Sequence, residues 1–146
     1  MGHQNRVRGR SATALLLAGI ALPCTVHALC LGDRHPAVKD EYASSRFVVT
    51  VMSVRRRDVA SPEDPEGIEA TQYAVAVRRI FKGKPPTTLT VLSENTSSRF
   101  FMQPGREYLL FGNGEADAVF VDACGHSGLV RERRDVIREL DRLADQ

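Results

Sequence analysis

The chain has 146 residues, 26% of them charged and 42% apolar, with a formal net charge of +2 and three cysteines. This composition excludes a disordered chain, a collagen-like one and a multi-span membrane protein, and three cysteines are too few for a disulfide-dense miniprotein. The length suits one globular domain once any removable segment is subtracted.

The first ten residues carry Arg6, Arg8 and Arg10 and no acid, Ala12–Leu22 is an apolar run, and Pro23 breaks it. Val26-His27-Ala28 then places small residues at −3 and −1 of a cut after Ala28. Together these parts make the pattern of a secretory signal peptide. The apolar run is well short of the about 20 residues that span a bilayer as a helix. The expected organisation is therefore a signal peptide at 1–28 and one domain at 29–146, acting in the periplasm or outside the cell, with no membrane attachment after cleavage.

Without the leader the chain holds 17 basic and 18 acidic residues, a net charge of −1. The basicity belongs to the leader, so the overall charge gives no argument for a phosphate-binding or nucleic-acid partner, and only local clusters of cations remain. Cys24 leaves with the leader, whereas Cys30 and Cys124 stay. In an exporting compartment the two are expected to form one disulfide. It would close a 94-residue loop, which in the chain-entropy account is worth about 4–5 kcal/mol.

Along the domain, His35–Arg46 reads as a short helix with Val38, Tyr42 and Ser45 on one face. Phe47–Val54 is a strand buried on both faces at its start. Arg55–Gly67 is polar and contains Ser61-Pro62 and Asp64-Pro65, which predicts a loop. Ala70–Phe81 alternates, with Tyr73, Val75, Val77 and Phe81 on one face. Lys82–Pro86 turns the chain and Thr87–Ser93 is a third strand. Phe100–Met102 and Glu107–Phe111 flank a turn at Gln103–Arg106, and Ala118–Asp122 is the last short strand. Gly83 and Gly105 are expected at positive φ. Leu129–Ala144 is an amphipathic helix whose apolar stripe includes Val130, Val136, Ile137, Leu140, Leu143 and Ala144. The fold class is thus mainly β: a small five-stranded barrel of the oligonucleotide/oligosaccharide-binding (OB) type, with a short helix before it and an amphipathic helix after it.

Few residues invite chemistry. His35 and His126 are the histidines left after the leader, and each lies near a cysteine. A Cys2His2 zinc site is the sharper reading of that set, but Cys124-Gly-His126 is an unusual spacing for structural zinc and oxidising export favours the disulfide. No metal or cofactor is assigned. Gly125-His126-Ser127-Gly128 departs from the nucleophile elbow, because position 129 is Leu129, and Ser127 reads as part of the closing helix's N-cap region. Asp33, Glu94, Glu107 and Asp122 occur singly, with no carboxylate pair for acid–base work. Arg55-Arg56-Arg57 at a strand end is either a solvated run or a contact for an anionic partner. Asn95-Thr96-Ser97 is a glycosylation sequon that reads as a turn.

The ordered set Cys30, Tyr42–Val54, Tyr73-Ala-Val-Ala-Val-Arg-Arg-Ile-Phe-Lys-Gly83, Pro104-Gly-Arg-Glu-Tyr-Leu-Leu-Phe111 and Asp122-Ala-Cys-Gly-His-Ser-Gly128 resembles the bacterial branch of the tissue-inhibitor-of-metalloproteinases (netrin-like) superfamily. The likeness covers nearly the whole mature chain. It implies an OB-like barrel flanked by helices and a pairing of Cys124 with Cys30. In animal members the freed N-terminal cysteine's amine and carbonyl bind a protease zinc. Here a cut after Ala28 leaves Leu29 in front of Cys30, and Gly32 stands where the animal proteins carry a second cysteine.

The expected function is therefore an exported, non-enzymatic and monomeric protein-binding module. Its binding edge would comprise Leu29, Cys30, His35 and His126, and its partner is an extracytoplasmic protein. Two alternatives stand beside it. One is a metalloprotease inhibitor chelating zinc through its N-terminal region. The other is an oligosaccharide-binding barrel using Tyr73, Phe81, Phe100 and Phe101 as stacking platforms.

Overall fold

A computed structural model describes residues 36–64 and 66–145. The architecture is mainly β, in the order α1 (Val38–Ser44), β1 (Phe47–Ala60), β2 (Ile68–Lys82), β3 (Thr88–Glu94), β4 (Glu107–Glu115), β5 (Ala118–Val121), β6 (Gly128–Leu129) and α2 (Arg134–Ala144). A 3-10 turn at Val130–Glu132 leads into α2.

Five strands run β1-β2-β3-β5-β4, and β4 pairs back onto β1 to close a ring. All these pairings are antiparallel except β3 with β5, a parallel contact at Val91 and Val119. The two-residue β6 adds to the outer side of β4. Because successive strand residues face opposite ways, β1 serves two cores. Phe47, Val49 and Val51 point into the ring with Tyr73, Val75, Val91, Leu110 and Val119, and Phe100 and Met102 join them from the connection to β4. Val48 points out, joining Leu109, Phe111 and Phe81 beneath Val38, Val136 and Leu140 of the helices.

The helices dock through polar contacts at their ends as well. Lys82 Nζ donates to the carbonyls of Tyr42 and Ala43 at 2.6 and 2.8 Å, supplying the cation that the last turn of α1 lacks. Tyr42 Oη donates to the Phe81 carbonyl at 2.9 Å. Arg79 of β2 stacks over Phe81 and pairs with Asp141 of α2. The apolar face of α2 that the spacing predicts is the one that docks, with Val136 and Leu140 buried and Ile137 and Leu143 against them.

Several expectations need correction. Arg55–Ala60 is not a loop: it continues β1 and pairs with Ile68–Ala74. Its polarity reflects exposure on both faces beyond the ring, while the backbone ladder keeps it extended. Phe81 does not share the face of Tyr73, Val75 and Val77, since register shifts at Thr50/Val51 and Val48/Val49 turn it to the helix side. Leu129–Ala144 is not one helix, because Leu129 belongs to β6 and α2 starts at Arg134. Gly83 and Gly105 do adopt positive φ, at 81° and 76°.

Candidate functional site

The candidate site is a corner where α1 meets the loop between β5 and β6. Asp122 Oδ1 accepts from Cys124 N at 2.8 Å and folds that loop back on itself. The next two residues then lie against α1. A Cβ on Gly125 would sit 2.1 Å from Glu41 Oε1, so the carboxylate occupies space that only glycine leaves open. Glu41 Oε2 accepts from His126 N at 2.9 Å and lies 2.7 Å from His126 Nδ1. An ionised carboxylate only accepts, which assigns the ring hydrogen of this contact to Nδ1. Arg133 closes the other side, its Nε donating to the His126 carbonyl at 3.0 Å.

Three elements thus converge on one short segment: α1 through Glu41, the approach to α2 through Arg133, and β4 through Phe111, whose N–H reaches Ser127. Ser127 is 3% exposed, and its hydroxyl accepts from Phe111 N at 2.9 Å. It is therefore a strut beneath the loop and not the helix cap that its position suggests; Arg133 holds the N-cap position of α2, with no side-chain cap. The imidazole borders an open groove of about 600 Å³ between the two helices, lined by Val38, Val136, Arg138 and Glu139 among others.

Of the predicted binding edge, His126 is at this corner, whereas Leu29, Cys30 and His35 lie outside the described residues. Cys124 lies two residues from His126 in the same turn. No group of three potential metal ligands occurs among the described residues. Three of the four suggested stacking platforms are committed elsewhere: Tyr73 and Phe100 fill the ring, and Phe81 lies beneath α2. Phe101 alone of the four is exposed, at 55%, with the Arg99 guanidinium 4.4 Å above its ring. The sequon asparagine is also occupied, Asn95 Nδ2 donating to the Ile68 carbonyl at 2.8 Å.

Sequence reasoning missed Glu41 and Arg133. Glu41 stands 85 positions from His126, so no local spacing announces the pair. The adjoining Gly125 is the one hint, since a glycine beside a histidine in a turn permits close approach of another group. No protein-family model matches the chain, and no curated protein sequence matches it.

Proposed function

We propose that this chain is an exported, non-enzymatic protein-binding module on an OB-type ring of the netrin-like kind, strapped by a Cys30–Cys124 disulfide. The strand order, the closure of β4 onto β1 and the lone parallel contact between β3 and β5 suit a five-stranded Greek-key ring. The observation that carries the reading is the seat of Glu41 on Gly125 and His126. It brings α1 and the turn that contains Cys124 together. Cys30 precedes Pro36 by six residues, a reach of up to about 20 Å when extended. A Cys30–Cys124 bridge would tie the proposed edge of Leu29, Cys30 and His35 to the turn that carries His126.

Mass spectrometry of the exported protein, with alkylation before and after reduction, tests this. The expected product starts at Leu29 and has two thiols that react only after reduction. Two thiols reactive without reduction, or a retained leader, would overturn the reading. A chain starting at Cys30 would instead favour the zinc-chelating inhibitor, because the α-amine would then belong to the bridged cysteine.

A further inference from the structure

Past Met52 the first strand leaves the ring. Its pairing with β4 ends at Met52 and Glu107, followed by two contacts at Ser53, which donates to the Arg106 carbonyl and accepts from Gly105 N. From Arg55 to Ala60, β1 is paired with β2 alone, and β2 is in turn covered by β3 from Ala70 to Ala76. Among the described residues, the outer side of this stretch is therefore an unpaired strand edge with alternate N–H and C=O groups facing solvent. Such an edge is a template for another strand.

Its side chains favour one kind of occupant. Arg55 and Arg57 share a face, bordering a shallow cavity of about 140 Å³ floored by Gln72, Ala74 and Thr90. Arg57 touches Gln72 Oε1 at 3.1 Å, and the small Ala74 leaves room beside both cations. Arg56 is already matched, its guanidinium forking onto Asp58 at 3.0 and 3.1 Å. A second copy pairing antiparallel about Arg56 would set Arg55 opposite Arg57 of its neighbour, and directly opposed like charges destabilise a strand pair. An acidic strand meets both arginines with opposite charge.

We propose that the Val54–Val59 edge takes an extended acidic segment of a partner protein as an added strand, with Asp or Glu at alternate positions facing Arg55 and Arg57. This rests on the binding-module reading and deepens it, main-chain bonds supplying affinity and the two cations choosing the sequence.

The test uses the mature protein and a ten-residue peptide of alternating Thr and Glu, with NMR and hydrogen exchange as readouts. The expected result is slowed exchange confined to edge amides within Val54–Val59, with binding weakened about tenfold in an Arg55→Gln/Arg57→Gln double variant. The same peptide N-methylated at alternate residues keeps its charge but cannot extend the ladder, and it should fail to bind. Equal binding by the methylated peptide, unchanged affinity in the double variant, or no binding at all would overturn the proposal. So would self-association that protects the same amides. A protein partner that protects residues around His126 but not 54–59 would overturn this edge and leave the module reading standing.

Discussion

Glu41 is the residue on which the candidate site depends, because a single carboxylate satisfies a backbone N–H and a ring N–H from a loop far along the chain. Glu41→Ala would leave both donors without that acceptor in a half-buried place, where an unmet polar group costs about 1–3 kcal/mol. A lowered urea midpoint with an unchanged slope is the expected readout, and Glu41→Gln, which keeps one acceptor, should lose less. Stability equal to the parent in Glu41→Ala would show that the corner does not hold α1. Asp58 gives a second prediction at this scale. The hydrogen bond from Arg56, and after it that from Thr71, holds its carboxyl below the usual carboxylate range. A depressed pKa means that the ionised form favours the folded hairpin. Its contribution is present at ordinary pH and fades as pH falls through the lowered value. An NMR titration should find Asp58 titrating below a free aspartate, and Arg56→Ala should move it back up.

Among the elements, α2 shows how a helix with exposed charges is held by a narrow stripe. Leu140 is fully buried among Val48, Phe81, Phe111 and Val38, at the centre of the contact between helix and ring. Leu140→Ala is expected to cost about 2–5 kcal/mol through lost burial and the cavity left behind, measurable as a fall in the unfolding midpoint. A cost below about 1 kcal/mol would mean that the helix repacks and that the second core is looser than its burial implies. The continuation of β1 past Ser53 illustrates the opposite case. Three adjacent arginines give a strand no apolar face, so alternation vanishes and composition reads as loop. Hydrogen bonding to β2 along its whole length nonetheless keeps it extended.

For the whole molecule, the ring closes through pairings of distant segments, and the helix before it meets the loop after β5 where Glu41 contacts His126. If Cys30 and Cys124 are bridged as proposed, reduction releases a 94-residue loop and removes about 4–5 kcal/mol in the chain-entropy account. That is a large share of the about 5–15 kcal/mol typical of a domain. Thermal unfolding with and without reductant should therefore separate widely, and coincident curves would argue that no strap contributes.

Much of the fold is legible in the residues because it rests on local periodicity. The doubly buried start of β1, the alternation of Tyr73, Val75 and Val77, the stripe on α2 and the positive-φ glycines at 83 and 105 each express a backbone repeat or a steric rule acting over a few positions. What the residues alone do not reveal is which faces meet. The register shifts that turn Phe81 outward, the strut role of Ser127, the burial of Tyr73 and Phe100 and the seat of Glu41 on Gly125 all arise from pairings across tens of residues. Contacts of that range depend on how strands align and where helices dock. Periodicity determines the elements and their apolar faces; only the folded chain decides their partners.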